Sequence, residues 1–217
     1  MNVVSTPYIE SGRASQKRRT HGALVSATRQ LVADGRTPTV EQAAEAAGVS
    51  RTTAYRYFPD QRSLLLAAHP ETGTTSLLGA DPPDDVADRL DAVITRFTWL
   101  IVDTEAAQRT MLRVTLEPGP AERAPLPLRQ GRAIGWIAEA LHPLVGELGE
   151  AAVHRLVLAI RSATGIEALV WLTDVGGLSP TGAAEMMRWS ARSMLDAALA
   201  GDPPPVSTRR RGRAARR

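Results

Sequence analysis

The sequence contains no cysteine, which excludes disulfides, thiolate zinc sites and cysteine nucleophiles. Aromatic residues make up only 4% of the 217 residues, so leucine, valine, isoleucine and alanine must fill the core. No apolar run approaches the roughly 20 residues that span a bilayer. No apolar block follows the first basic residues, as it would in a signal peptide. These absences predict a soluble cytoplasmic protein that does not act at a membrane.

Motifs of catalysis are also missing from the sequence. There is no HExxH, no P-loop and no GxGxxG, and the four histidines lack metal-ligand spacing with an acid. The acidic cluster of Asp84, Asp85 and Asp88 is better explained by the dipole at a helix N-terminus. We therefore predict that the protein is not an enzyme and has no catalytic residue, metal site or cofactor.

Charge is unevenly distributed along the chain. Residues 1–68 carry nine basic and five acidic residues, a net charge of +4, whereas residues 69–208 carry eleven and eighteen, a net charge of −7. The end of the chain, residues 209–217, has six arginines and no acid. A basic N-terminal part beside an acidic body favours contact of the N-terminal part with a polyanion, although a solvated charge imbalance would look the same.

Helical signals dominate the N-terminal third. Residues 1–14 lack periodicity and suggest a flexible arm, and a helix is predicted from Ser15. A second helix is predicted after Thr39, whose side chain and that of Gln42 can form a capping box. Gly48 suits a sharp turn and Ser50 caps a third helix ending near Phe58. A fourth, short helix follows, so residues 15–68 form one predicted domain.

The remainder of the chain is also predicted to be helical. Breakers in residues 69–82 indicate a linker or irregular elbow, and residues 83–200 contain apolar residues at helical spacing. Residues 201–217 are expected to form a disordered basic tail, either simply solvated or a nonspecific DNA anchor. The predicted fold class is all-α, with an N-terminal three-helix domain followed by a larger helical domain.

The two short helices around Gly48 have the layout of a helix-turn-helix, in which the second helix enters the DNA major groove. The exposed positions of that helix that could contact base edges are Arg51, Thr52, Tyr55 and Arg56. Hydroxyl groups suited to phosphate oxygens belong to Thr39, Thr53 and Tyr57. Three cations expected to open the first helix, Lys17, Arg18 and Arg19, could add salt-dependent phosphate contacts.

The run from Val40 to Asp60, VEQAAEAAGVSRTTAYRYFPD, resembles the signature of TetR/AcrR-family transcriptional regulators. Its position after one helix and the chain length also resemble that family. The resemblance implies a homodimeric regulator, mostly a repressor, that is released from a palindromic DNA operator by a small-molecule effector. It also implies that Arg51, Thr52 and Tyr55 reach bases, and that Thr39, Thr53 and Tyr57 reach the backbone.

The sequence departs from the family pattern in two places. Where members often have a phosphate-binding lysine, this chain has Gln61, followed by Arg62, and we expect both to contact the DNA backbone. The fourth helix, often long in the family, is interrupted here by Pro70 and Gly73. The path by which a ligand would influence DNA binding is therefore altered, or the helix resumes after a bend.

The body is expected to supply a dimer surface and a ligand pocket of unknown ligand class. Pairing of the last two long helices with their copies predicts an interface formed by Ile160, Thr164, Ala168, Ala184, Met187, Ala191 and Met194. Large apolar side chains could line a pocket, namely Phe97, Trp99, Met111, Trp136 and Trp171, although core packing is the alternative for each. An alternative function is a TetR-like interaction protein that acts through its acidic body without operator binding.

Overall fold

The computed structural model describes residues 7–69, 74–117 and 131–205, with side chains from residue 14 onward. These ranges contain helices and loops and no strand, which confirms the all-α prediction for them. The helices are α1 Pro7–Ala33, α2 Val40–Ala46, α3 Arg51–Tyr57, α4 Gln61–Ala68, α5 Val86–Asp103, α6 Glu105–Leu116, α7 Arg132–Leu141, α8 Val145–Leu148, α9 Glu150–Ala163, α10 Ile166–Val170 and α11 Pro180–Leu199. A 3₁₀ turn, His142–Leu144, precedes α8, and a π-helical turn, Trp171–Val175, follows α10.

Side-chain caps explain why several helices begin where they do. The Asp60 carboxylate accepts a bond from the backbone N–H of Ser63 at 2.7 Å, and the Ser179 hydroxyl accepts one from Gly182 at 3.1 Å. At the start of α5, the carboxylate of Asp85 accepts from the backbone N–H groups of Ala87 and Asp88. These groups satisfy N–H donors that have no partner within the helix.

Helix α1 begins at Pro7, eight residues earlier than the predicted start at Ser15. The prediction of a flexible arm over residues 1–14 is therefore wrong for residues 7–14, and residues 1–6 lie outside the described part. Of the last two long helices that the sequence predicts, the one containing Ile160 and Ala168 is interrupted, because Gly165 is extended and separates α9 from α10. Most of the predicted tail, residues 206–217, also lies outside the described residues.

The chain divides into two compact units. The first unit comprises Met1–Thr74 and Asp103–Gln130, and the second comprises Thr75–Val102 and Gly131–Arg217. This division differs from the predicted domains, because α6 groups with the N-terminal helices rather than with the rest of residues 83–200. Helical periodicity identifies an apolar stripe on α6 but does not tell which neighbour covers it.

A continuous apolar core holds α1 to α4 together in the first unit. Leu24, Ala54 and Leu64 are fully buried, and Phe58 is almost so. Ala43 and Ala44 of α2 are also buried, and such small side chains allow neighbouring helices to approach closely. Full burial of these apolar groups contributes about 1.5–3 kcal/mol for each large side chain, so the short helices depend on packing rather than on intrinsic propensity.

A second cluster explains why α6 belongs to the first unit. Met111 and Val114 of α6 pack with Val32 of α1 and Leu65 of α4, and all four are buried. The guanidinium of Arg62 on α4 also donates to the backbone carbonyl of Val114 at 3.4 Å. Helix α6 is therefore fixed to the two helices that flank the helix-turn-helix.

The second unit has a core centred on two large rings. Phe97 of α5 and Trp136 of α7 are buried and meet edge to face with centroids 5.8 Å apart. The guanidinium of Arg161 on α9 lies 5.7 Å from the Phe97 ring centroid, within cation–π range. Arg89 donates to the carbonyls of Glu139 and Ala140 near the end of α7, where a cation complements the helix dipole.

Within the described residues, one helical stretch, Glu150–Val175, is long and apolar enough to cross a membrane by composition. Core helices of water-soluble proteins pass the same test, so this observation is weak evidence for a membrane span. The buried residues Leu156, Ile160 and Leu169 account for much of its apolar character. The interruption at Gly165 also divides the stretch into two helices.

We predict that Val114→Ala lowers the free energy of unfolding of the first unit by about 2 kcal/mol, because two buried methyl groups are lost and a cavity remains. Urea denaturation measures the loss, and hydrogen exchange should show faster opening of α1 and α4. Leu116→Ala is the matched control, since Leu116 lies on the same helix but is exposed. Unchanged protection of α1 and α4 in Val114→Ala would contradict the packing of α6 on these helices.

Candidate nucleic-acid interface

Local hydrogen bonds shape the α2–turn–α3 corner. The Thr39 hydroxyl accepts from the Gln42 backbone N–H at 3.3 Å, and the Gln42 amide oxygen accepts from the Thr39 N–H at 2.9 Å, which forms the predicted capping box. Gly48 has a φ of +64°, a left-handed conformation that favours glycine. The Ser50 hydroxyl accepts from the Thr53 N–H at 3.3 Å and starts α3.

The burial of two residues determines which side of α3 faces solvent. Ala54 is fully buried and Phe58, directly after the helix, is inserted into the core. The four side chains predicted to contact bases are exposed, namely those of Arg51, Thr52, Tyr55 and Arg56. A seven-residue helix with a polar exposed face of this kind fits a major groove about 12 Å wide.

The Glu41 carboxylate on α2 is the polar centre of this surface. It accepts a hydrogen bond from the Tyr55 hydroxyl, and one of its oxygens lies 3.6 Å from a guanidinium nitrogen of Arg51. The Thr39 side chain also stabilises the ionised carboxylate by a hydrogen bond. Three residues predicted to contact DNA therefore share one acidic partner, which sequence reasoning did not identify because residues 41 and 55 meet only when α2 and α3 pack.

These contacts shift the protonation of both partners. The hydrogen bond from Tyr55 is the main reason that the pKa of Glu41 is lowered, and the same bond raises the pKa of Tyr55. The stabilisation from ionised Glu41 is lost as the pH falls through its lowered pKa. The stabilisation from the protonated Tyr55 hydroxyl is lost as the pH rises through the raised pKa of Tyr55. The pair is therefore intact at neutral pH.

The other predicted backbone contacts differ in their surroundings. Thr53 and Tyr57 are half-buried, and the Tyr57 ring lies edge-on to His21 of α1 with centroids 6.2 Å apart. Lys17, Arg18 and Arg19 are exposed, but they lie ten residues inside α1 rather than at its start. Arg19 donates to Ser15 and Gln16 of its own helix.

Gln61 and Arg62, which the family pattern leads us to expect at the DNA backbone, both make hydrogen bonds within the chain. The Gln61 amide donates to the backbone carbonyls of Thr37 and Pro38, at 3.2 and 3.0 Å. Arg62 donates to Val114 on α6. Gln61 therefore fastens the start of α4 to the loop before α2, and Arg62 fastens α4 to α6.

The residues predicted to line a ligand pocket are divided between a core, the surface and two units. Phe97 and Trp136 fill the core of the second unit against each other, whereas Trp99 and Trp171 are exposed, Trp171 by 61%. Met111 belongs to the first unit. The sequence prediction counted large apolar side chains, but it could not assign them to a core, a surface or a different unit.

The predicted dimer residues are mostly core residues of the second unit. Ile160, Thr164, Ala184, Met187 and Ala191 are each at most 1% exposed within the chain, and only Ala168 and Met194 are half-exposed. The prediction is therefore wrong for the five buried residues, because the apolar stripes of α9 and α11 pack inside the unit. The large apolar side chains that remain exposed on α9, the π-helical turn and α11 are Leu158, Trp171, Val175, Met186, Trp189 and Leu199.

The capped α2, the positive-φ turn and the exposed face of α3 define a helix-turn-helix DNA-binding domain. Residues 24–68 match the sequence model of the bacterial regulatory proteins, tetR family. The chain is also 32% identical over 93 residues to the HTH-type transcriptional repressor LfrR of Mycolicibacterium smegmatis, an alignment covering 43% of this chain and 48% of LfrR. The chain thus spans about half the length of this curated relative.

The helix-turn-helix part of the chain is therefore similar to that of the TetR family of transcriptional regulators. Proteins of this family are DNA-binding regulators and not enzymes, in agreement with the prediction from the sequence. The match ends at residue 68, so the family model does not describe α5 to α11.

We predict that Glu41→Gln lowers the pKa of Tyr55, since a neutral amide favours the protonated phenol less than a carboxylate does. Ultraviolet titration of the phenolate band measures the pKa. Because the chain has three tyrosines, comparison with Tyr55→Phe identifies the part of the absorbance change that comes from Tyr55. Glu45→Gln is the matched control, because Glu45 is an exposed acid of the same helix. An unchanged Tyr55 titration in Glu41→Gln would show that the two side chains do not interact in solution.

Proposed function

We propose that this protein is a repressor of transcription that binds a palindromic DNA operator as a homodimer and is released from it by a small-molecule effector. The observation that carries the proposal is the exposed face of α3, where Arg51, Thr52, Tyr55 and Arg56 lie together on a capped helix. Arginine can bond bidentately to guanine, and a threonine methyl can contact the methyl of thymine. The proposal includes a cytoplasmic location, where bacterial DNA is accessible, and no membrane partner.

Contacts with phosphates would orient the reading helix. The exposed cations of α1, Lys17, Arg18 and Arg19, are candidates for these contacts, whereas Gln61 donates to two internal carbonyls and Arg62 to one. Because neutralised phosphates release counterions, the affinity for duplex DNA falls steeply with salt. On binding, Tyr55 and Arg51 would lose their contacts with Glu41 and gain contacts with bases or phosphates. Glu41 therefore competes with DNA for these two side chains.

The second unit offers a surface for the proposed homodimer. Met186 and Trp189 lie three residues apart on the exposed face of α11, and Trp171 and Val175 lie four apart on the preceding π turn. Exposed tryptophan is typical of interface hot spots, and apolar side chains grouped on the surface mark association sites. Two-fold pairing through these residues would present two copies of α3 to the halves of a palindrome.

We predict that Arg51→Ala weakens binding to the preferred operator by about 5- to 150-fold, the cost of one lost bidentate base contact, and leaves nonspecific binding nearly unchanged. Selection of bound genomic fragments identifies the operator, and fluorescence anisotropy at several salt concentrations measures both affinities. Arg192→Ala is the matched control, since it removes an exposed arginine of the second unit.

Equal weakening on operator and random DNA would make Arg51 a phosphate contact rather than a base contact. If the wild-type affinity for duplex DNA does not change with salt, operator binding itself is contradicted, and the alternative of an interaction protein is favoured.

We predict that Trp189→Glu converts the dimer to a monomer, with a dimerisation constant weakened by roughly 30-fold or more, because a charge replaces an interface anchor. Sedimentation velocity measures the association, and circular dichroism should be unchanged because Trp189 is 67% exposed. Leu116→Glu in the first unit is the control for an added surface charge. A monomeric wild type, or an unaffected Trp189→Glu dimer, would contradict this interface.

A further inference from the structure

We propose that a cavity in the first unit is a binding site for a small, neutral, mostly apolar molecule with one hydrogen-bond donor. The cavity has a volume of about 240 Å³ and lies between α1, α4 and the start of α6. All of its lining residues belong to the first unit, so it is separate from the residues predicted to form a pocket in the body, apart from Met111.

The size of the cavity limits the ligand. A cavity of roughly 150 Å³ with apolar walls accommodates one benzene ring, so this one has room for two fused rings. Val32, Leu65 and Met111 supply apolar walls, and alanines such as Ala106 and Ala107 stand where larger side chains would fill the space. The cavity opens to solvent beside the exposed Arg29 and Asp103, and its mostly apolar walls favour an apolar occupant that displaces water from them.

Polar groups at the cavity indicate where the ligand would be recognised. Arg29 and Asp103 are both exposed, lie at its rim and carry opposite charges, so a charged ligand would be attracted by one and repelled by the other. The Arg29 guanidinium already donates to the Ala68 carbonyl at 2.9 Å. The Asp103 carboxylate is an acceptor, which matches a neutral N–H or O–H donor on the ligand.

Among the polar residues of the lining, His69 is paired with a second buried side chain. His69 and Gln108 are buried, and the His69 Nε2 and Gln108 Oε1 atoms lie 3.2 Å apart, a distance at which the ring nitrogen donates to the amide oxygen. This pair fixes the end of α4 against α6. A molecule in the cavity would therefore contact α1, α4 and α6 without breaking the packing that positions α3.

Indole and benzofuran are the probes that test the site, because they have the same shape and differ in one N–H donor. We expect saturable binding of both to the full chain by ligand-observed NMR, tighter for indole. Asp103→Ala should abolish the preference for indole and leave benzofuran binding unchanged. The test uses no DNA, so its outcome is independent of the proposed operator binding.

Ala107→Phe should weaken both probes by roughly tenfold or more, because the ring occupies the apolar space. Leu112→Phe is the matched control, since Leu112 lies on α6 but does not line the cavity. Circular dichroism verifies folding, and if Ala107→Phe does not fold, Ala106→Leu replaces it. The proposal is overturned if neither probe saturates, or if a folded cavity-filling variant binds both as the wild type does.

Discussion

The packing of α3 through Ala54 and Phe58 is the contact on which the DNA-binding surface depends. Helix α3 has only seven residues, too few to be stable in water without tertiary contacts. Burying the small Ala54 side chain allows α3 to lie close to its neighbours, and the Phe58 ring anchors its end. With that side fixed, the helical repeat places Arg51 and Tyr55 outward.

Glu41 gives this outward face an internal acidic partner. It accepts a hydrogen bond from Tyr55 and lies beside Arg51, so both side chains are oriented within the chain itself. Oriented side chains lose less conformational freedom on binding, but a carboxylate also repels phosphates. Glu41 would therefore hold Arg51 and Tyr55 in position for base contacts and would weaken nonspecific binding to phosphates. Such an arrangement increases the discrimination between DNA sequences and lowers the affinity for DNA in general.

Helix α6 extends the first unit beyond the part that matches the family model. Its buried residues Met111 and Val114 share a cluster with α1 and α4, and Arg62 adds a bond to its backbone. Next to Arg62, at the first residue of α4, Gln61 is bonded to the loop before α2. The start of α4 is thus held by two residues that the family pattern suggested would face DNA, so a change at α6 could reach the helix-turn-helix through packed contacts alone.

The sequence by itself determined the features that depend on near neighbours in the chain. The Thr39–Gln42 capping box, the Gly48 turn, the Ser50 cap and the outward position of Arg51 follow from local geometry and helical periodicity, and the structure has each of them. The family resemblance of residues 40–60 is likewise confirmed by the match over residues 24–68. Helical periodicity also predicted most helices of the chain. It did not predict the start of α1 or the break at Gly165.

Tertiary structure alone decided which surfaces those helices cover. An apolar stripe must be buried, but the pattern cannot say whether a neighbour in the same chain or a second copy buries it. That is why Ile160 and Met187 are core residues rather than interface residues, and why α6 lies with the first unit. Contacts between distant residues, such as those of Glu41 with Tyr55 and of His69 with Gln108, exist only because packing brings separate helices together.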